Sequence, residues 1–186
     1  MTSTKQRLWT VDEYHRMAET GILGAEERVE LIDGQIVPMS PKNPPHSAIT
    51  QRASNYLREI LTGLAFIRVQ EPIHISLHSE PEPDVALVLI DSNDYDDHHP
   101  EPAEVFLVIE VADSTLKYDL KKKAATYAKA KIVEYWVVDV NNKRVFVKRN
   151  PGEKTYHQET VLERDATTSL LAFPDVSVSI ERFFHR

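Results

Sequence analysis

The chain has 186 residues, 41% of them hydrophobic, so it is long enough to bury a sizeable core, and we expect one domain spanning residues 1–186. It contains no cysteine, which excludes disulfide bonds, thiolate zinc sites and cysteine nucleophiles. The net charge of −7 argues mildly against a protein that coats nucleic acid, because such binding comes mainly from neutralising phosphates. No apolar run approaches the roughly 20 residues of a membrane-spanning helix, and residues 1–7 lack the apolar core of a secretory signal, so we expect a soluble, cytoplasmic protein without membrane contact.

The N-terminal third predicts a helix, a hairpin and a second helix. Thr10 followed by Glu13 is a capping-box signature, and Gly21 and Gly24 end the helix that it starts. The dipeptide 33–34, Asp-Gly, is typical of a two-residue hairpin turn between strands 28–32 and 35–39. After a proline-rich loop, apolar residues at helical spacing predict a helix over about residues 46–61.

The middle of the chain predicts a mixed sheet. Short strands are expected at 66–70 and 73–77, and the strongest candidates are 84–90 and 105–111, whose nearly continuous apolar sequence is typical of strands covered on both faces. If these two pair antiparallel, Asp84 at the start of one lies beside Glu110 near the end of the other. A helix over 114–130 then leads to strand 134–140, which favours a crossover between parallel strands.

The last third predicts further strands at 144–148 and 156–161, and an edge strand at 176–180. The fold class is therefore α/β, with a mixed central β-sheet flanked by helices and preceded by an N-terminal helix and a β-hairpin.

Two carboxylates stand in strand sequence and a lysine stands on the helix that follows. Glu110 interrupts an apolar run, where a charge is costly unless it is paired or holds a metal. Asp84 follows Pro83 at the start of a strand. At about 100° per residue, Lys123 falls inside the sheet-facing arc of its helix, which also carries Leu116, Leu120, Ala124 and Tyr127.

These residue types indicate a metal-dependent phosphodiesterase. Hydrolysis of a phosphodiester requires a deprotonated water and relief of charge on the phosphoryl oxygens, and Mg²⁺ (or Mn²⁺) held by carboxylate oxygens supplies both. The predicted ligands are Asp84, Glu110 and the carbonyl of Val111, and the ammonium of Lys123 would orient the attacking water and neutralise the phosphate. The structural alternatives are a turn carboxylate for Asp84, a salt bridge for Glu110, and a lysine that reaches past the helix edge for Lys123.

Three further residues are candidates with strong structural alternatives. Glu82 is a second acid beside Pro83, and Asp119 either supports Lys123 or caps the helix. His46 could contact a phosphate, although a histidine that enters a helix is more often a capping residue. The acidic stretch 91–99 lacks the glycine and glutamate positions of a calcium loop and is interpreted as a solvated loop.

The chain resembles the bacterial putative restriction endonuclease family that is abundant in cyanobacteria. The resemblance covers about residues 8–150 and rests on an ordered set of motifs: 30–36, 39–41 with His46, 83–85, 108–115, 118–119 with Lys123 and Tyr127, and 134–139. This family is placed in the PD-(D/E)XK nuclease superfamily, so the resemblance implies a restriction-endonuclease-like core and magnesium-dependent DNA cleavage. It also implies that Glu30 lies near the site as an additional acid, although a hairpin glutamate usually faces solvent.

Two positions depart from these patterns. Ala112 stands where the superfamily has the lysine of its E-x-K motif, and the resemblance suggests that this lysine has moved to the helix, at Lys123. Lys131 stands where the family usually has glycine before the strand at 132–136, which affects the helix end rather than the metal site.

The sequence thus predicts a divalent-metal-dependent endonuclease that hydrolyses DNA phosphodiester bonds. The alternatives are a catalytically inactive nuclease-fold module that binds nucleic acid or another protein, and a phosphodiesterase that acts on something other than DNA. A homodimer is expected by analogy alone, since cleavage of both DNA strands needs two sites.

Overall fold

A computed structural model describes residues 6–24 and 26–184, and its N-terminal part contains the predicted helix and hairpin. Helix α1 (Val11–Glu19) begins after Thr10, whose side chain and backbone form a reciprocal capping box with Glu13. Strands β1 (Val29–Ile32) and β2 (Gln35–Pro38) pair antiparallel. The turn residues between them have φ angles of +47° at Asp33 and +75° at Gly34, as a two-residue hairpin turn requires.

Helix α2 (Pro44–Ile60) begins two residues before its predicted start. The side chain of Asn43 caps it by accepting a hydrogen bond from the backbone N–H of His46 at 3.0 Å. Proline is tolerated in the first turn because the N–H that it lacks would have no helical partner there. The cap is therefore Asn43, and the His46 side chain is available for other contacts.

The central sheet has six strands, hydrogen-bonded in chain order. They are β3 (Phe66–Arg68), β4 (Val85–Val88), β5 (Val105–Ala112), β6 (Glu134–Asp139), β7 (Arg144–Pro151) and β8 (Tyr156–Leu162). Strands β5 and β6 are parallel and the other neighbours are antiparallel, so the predicted mixed sheet is confirmed. Val85 lies opposite Ile109, which places Asp84 beside the end of β5 that carries Glu110, as predicted.

The crossover between β5 and β6 is one helical segment in three parts, here called the composite helix. It consists of α3 (Leu116–Tyr118), a π-helical turn (Asp119–Lys123) and α4 (Ala124–Lys129). The backbone N–H of Ala124 donates to the carbonyl of Asp119, five residues earlier, which defines the wider turn. Lys123 and Asp119 are the two buried residues of this turn.

Side-chain alternation along β5 decides which helix each of its residues meets. Leu107, Ile109 and Val111 belong to the core on the side of α2, where Leu57 packs. Val108 and Ala112 belong to the core on the opposite side, together with Ala124, Tyr127 and Ala128 of the composite helix. Because side chains alternate between faces, Glu110 points to the composite helix and towards Lys123.

Two strand predictions need correction. Residues 73–77 do not form a strand, because their backbone N–H groups bond to loops: Ile73 donates to Pro81 and His74 to Pro100. The strand at 176–180 exists as β10 (Ser177–Ser179) but is not an edge of the central sheet, since it pairs with β9 (Thr167–Ser169) in a separate two-stranded sheet. Helix α5 (Glu181–Phe184) follows.

Within the described residues, no helix combines the length and the apolar character needed to cross a bilayer.

Candidate active site

One cleft of about 280 Å³ gathers every residue that the sequence singled out. Its walls come from the hairpin, the start of α2, the segment before β4, the end of β5 and the composite helix. The predicted residues that line it are Glu30, His46, Glu82, Asp84, Glu110, Val111, Asp119 and Lys123. Tertiary structure therefore brings together side chains that are up to 93 positions apart in the chain.

Asp84 is held by hydrogen bonds on both carboxylate oxygens. Oδ2 accepts the backbone N–H of Val111 at 2.8 Å and lies 3.1 Å from Nε2 of His46, while Oδ1 accepts the side-chain amide of Gln70 at 3.0 Å. Burial alone would raise the pKa of Asp84, but these three partners outweigh it and lower the pKa below its ordinary value. Asp84 is thus a fixed, ionised carboxylate rather than a loose turn residue.

Glu110 and Lys123 form a buried pair at the centre of the cleft. The Nζ of Lys123 lies 2.9 Å from Oε1 of Glu110 and 3.1 Å from Oε1 of Glu30, and the hydroxyl of Tyr127 donates to the same Glu110 oxygen at 2.8 Å. The prediction that Lys123 lies on the sheet-facing side of its helix is therefore confirmed. Burial would lower the pKa of Lys123, but the carboxylates of Glu110 and Glu30 outweigh it and raise that pKa, so the amine stays an ammonium.

The remaining acids of the cleft, Glu30, Glu82 and Asp119, each have a hydrogen-bond or ion-pair partner. Glu30 is buried rather than solvated, and its Oε2 accepts the backbone N–H of Glu82 at 3.3 Å. Glu82 pairs with Arg28 at 3.2 Å on the rim. Asp119 accepts the hydroxyl of Thr115 at 2.6 Å, and no ion pair joins it to Lys123 in the described part of the chain.

The cleft carries an excess of negative charge. Five carboxylates line it, against the two lysines Lys42 and Lys123. Burial raises the pKa of Glu110, which the nearby ammonium of Lys123 only partly offsets, and burial likewise raises the pKa of Asp119 to about 6. Raised carboxyl pKa values in a cleft are typical of functional sites.

The donors present fit a hard divalent cation. Within residues 6–24 and 26–184, no three His, Asp or Glu side chains are grouped so as to hold a metal ion by themselves. Mg²⁺, however, commonly takes only one or two protein carboxylates and completes its octahedron with waters and substrate oxygens. Asp84 and Glu110 would supply those carboxylates, because every hydrogen bond that Glu110 accepts through its side chain falls on Oε1.

Sequence reasoning missed two partners of the predicted ligands. Gln70 has a φ angle of +56°, and it contacts Asp84 twice, through its side chain and through its backbone N–H, which donates to the Asp84 carbonyl at 3.2 Å. No local pattern marks a loop glutamine for this role. Tyr127 was named in the sheet-facing helix arc and among the motif residues of the family resemblance, but its contact with Glu110 was not predicted; a phenol four residues after Lys123 was the available signal.

Comparison with solved structures supports the fold. The crystal structure of a putative nuclease belonging to DUF820, from Anabaena variabilis, matches with a TM-score of 0.74 over 94% of this chain and 97% of that chain, at 20% sequence identity. At this identity the likeness shows a shared fold. A search of curated proteins finds no match.

A family model described as "Putative restriction endonuclease" matches residues 11–181, a span that includes both flanking helices, the whole central sheet and every residue of the cleft. The chain therefore belongs to this family, Uma2.

Proposed function

We propose that this protein is a divalent-metal-dependent endonuclease that hydrolyses DNA phosphodiester bonds. The observation that carries the proposal is the convergence of Asp84, Glu110 and Lys123 in one cleft whose carboxylates outnumber its lysines. Membership of the family and the nuclease fold favour the same reaction class. Mg²⁺ or Mn²⁺, when bound, would lower the pKa of a water and offset charge on the phosphoryl oxygens.

The site residues would have different roles in the reaction. Asp84 and Glu110, with the carbonyl of Val111, would hold the cation, and the hydrogen bonds from Gln70 and the Val111 N–H keep the Asp84 carboxylate oriented. Lys123 stays protonated between Glu110 and Glu30, so it cannot remove a proton from water. Its role would be to orient the attacking water and to stabilise negative charge that develops on the phosphate.

Cleavage of supercoiled plasmid tests this proposal. We expect purified wild-type protein to nick or linearise the plasmid with Mg²⁺ or Mn²⁺ and to be inactive in EDTA. Asp84→Ala should lose at least about a hundredfold in rate, because it removes a ligand and a charge from the site. Asp165→Asn is the matched control, since Asp165 is an exposed acid outside the cleft and its loss should leave the rate unchanged.

The outcome separates the alternatives. Equal cleavage by wild type and Asp84→Ala would indicate a contaminating nuclease. Absence of cleavage together with retained DNA binding would favour a catalytically inactive nucleic-acid-binding module, although the net charge of −7 argues mildly against this alternative. Cleavage of small phosphodiesters but not of DNA would favour a phosphodiesterase with another substrate. A homodimer would allow cleavage of both strands and is part of the proposal by analogy.

A further inference from the structure

The cleft is lined by a tyrosine, Tyr118, whose hydroxyl lacks a hydrogen-bond partner in the described part of the chain. The side-chain oxygen of Tyr118 is buried and has no hydrogen-bond partner within residues 6–24 and 26–184, although Tyr118 lines the cleft. Nδ1 of His46, on another wall of the same cleft, is also buried without a partner. A buried polar group without a partner is destabilising, so native proteins rarely retain one without a reason.

The tyrosine is fixed in place and surrounded by site residues. Its backbone N–H donates to the carbonyl of Thr115 at 2.7 Å, which ties it to the first turn of the composite helix. It precedes Asp119, the first residue of the π-helical turn that carries Lys123. Burial raises the pKa of Tyr118, and the Glu30 carboxylate raises it further, so the phenol remains protonated at neutral pH and can act as a donor.

The chemistry of the Tyr118 hydroxyl indicates which acceptor would pair with it. A neutral O–H donor pairs best with an anionic acceptor, yet it bonds to none of the carboxylates around it. The acceptor that a phosphodiester brings into the cleft is a non-bridging phosphoryl oxygen. Lys123 and Lys42, together with a bound cation, would offset the charge of this phosphate among the carboxylates.

We propose that Tyr118 is a substrate-binding residue whose hydroxyl donates a hydrogen bond to a non-bridging oxygen of the phosphodiester in the cleft. This assignment rests on the proposed nuclease function and adds a contact to the substrate that neither Asp84, Glu110 nor Lys123 provides. Tyr118 does not hold the metal, so its removal should affect substrate affinity and not metal affinity.

The test compares Tyr118→Phe with Tyr156→Phe. Both variants lose one buried hydroxyl, but that of Tyr156 is structural, since it donates to the carbonyl of Ile132 at 2.8 Å. Binding of a fluorescein-labelled 20-base-pair DNA duplex is measured by anisotropy in Ca²⁺, a hard cation that also takes oxygen ligands. Thermal unfolding and calorimetric titration with Mn²⁺ are measured on the same samples, and KM and kcat are measured with plasmid in Mg²⁺.

We expect Tyr118→Phe to weaken duplex binding about tenfold or more, because a hydrogen bond to a charged group is lost, and to raise KM more than it lowers kcat. Its Tm should stay the same or rise, since an unpaired buried hydroxyl is removed, and its Mn²⁺ affinity should stay unchanged. Tyr156→Phe should lower the Tm and leave duplex binding unchanged.

Unchanged duplex affinity in Tyr118→Phe would overturn the assignment, while plasmid cleavage by the wild type would leave the nuclease proposal intact. Weaker duplex binding by Tyr118→Phe, combined with a wild type that cleaves no DNA, would support the contact and refute the nuclease activity. A wild type that binds no duplex would overturn the assignment as well.

Discussion

Glu110 illustrates how a costly residue is accommodated at the level of one side chain. It lies near the C-terminal end of strand β5, is 4% exposed, and accepts hydrogen bonds from both Lys123 and Tyr127. Replacing a buried ion pair with apolar residues of similar volume is often neutral or stabilising, so this pair is weak evidence for a stabilising role. The position of Glu110 in the cleft favours function as the reason for its presence.

The raised pKa of Asp119 predicts how the free energy of unfolding depends on pH. Its pKa rises from an ordinary value of 3.8 to about 6, mainly through burial, so the folded state binds more protons than the unfolded state between these pH values. The stabilising effect of the protonated group is complete below about pH 4 and is lost as the pH rises through 6. Asparagine does not ionise, so Asp119→Asn does not lose this stability as the pH rises. Its amide oxygen can still accept the hydrogen bond from the Thr115 hydroxyl.

We therefore expect metal-free Asp119→Asn to match the wild type near pH 4 and to be more stable by about 1–3 kcal/mol at pH 7–8. Urea unfolding in EDTA across this pH range measures the difference in free energy of unfolding. Asp165→Asn, an exposed acid, serves as control. A difference between Asp119→Asn and wild type that does not grow with pH would contradict the prediction.

The hydrogen bond from Gln70 is expected to keep the Asp84 carboxylate oriented for metal binding. The φ angle of Gln70, +56°, favours glycine, yet its side chain holds Oδ1 of Asp84. We expect Gln70→Gly to change stability little, because relief of backbone strain offsets the lost hydrogen bond, and to weaken Mn²⁺ binding about tenfold. Asn150→Gly is the matched control, since Asn150 also has positive φ, at +58°, but lies on β7 and is not hydrogen-bonded to Asp84. Calorimetry that finds equal Mn²⁺ affinity in both variants would refute the role of Gln70.

At the scale of the elements, the composite helix is the part that most shapes the site. Its π-helical turn carries Asp119 and Lys123 on the buried side, and Lys122 on its outer side pairs with Asp33 at 2.6 Å. Asp33 occupies the hairpin turn, so this contact links the helix that carries Lys123 to the hairpin that carries Glu30. Single-turn π-bulges inside helices occur frequently at functional sites.

The end of the composite helix explains the departure at Lys131. Lys131 adopts a φ angle of +64°, and the following N–H, of Ile132, donates to the carbonyl of Tyr127 at 3.1 Å. This is the left-handed position that closes helices, where glycine is strongly preferred. Lys131 therefore places local strain in the backbone, and it lies outside the cleft.

We expect Lys131→Gly to raise the free energy of unfolding by about 0.5–1 kcal/mol, because glycine avoids the left-handed penalty of an L side chain at some cost in chain entropy. Ala125→Gly, inside α4, should instead lower it by about 1 kcal/mol. Urea unfolding measures the free energy of unfolding of both variants and of the wild type. Destabilisation by Lys131→Gly would show that the lysine side chain makes a contact that outweighs the strain.

At the scale of the whole molecule, excess negative charge in one cleft predicts that a divalent cation stabilises the fold. A ligand present at a hundred times its Kd stabilises the native state by about 2.7 kcal/mol. For a chain of this size we expect Mn²⁺ to raise the Tm by about 5 °C or more. EDTA should reverse the shift and Glu110→Gln should abolish it, whereas an equal shift in Glu110→Gln would place the cation elsewhere.

The sequence by itself determined most of the elements and, from local signals, two of the candidate site residues. Capping at Thr10, the Asp33-Gly34 turn and the apolar runs of β4 and β5 are local signals, so the helix, the hairpin and the antiparallel strands could be predicted. A charge in an apolar strand and a lysine on a sheet-facing arc are local as well, and they identified Glu110 and Lys123. The resemblance to a family added Glu30, which the local pattern favoured as a solvated residue.

Only the tertiary structure decided what these side chains contact. The hydrogen bond from Gln70 to Asp84 and the pairing of Lys123 with both Glu30 and Glu110 join segments that are distant in the chain. The hydroxyl of Tyr118, which has no partner among the residues that the structure describes, likewise follows from the tertiary structure. Residues 73–77 were wrongly predicted as a strand because their buried isoleucines alternate like those of one, while their N–H groups bond to loops. Periodicity reports which side chains are buried, and it carries no information about which distant backbone or side chain completes each hydrogen bond.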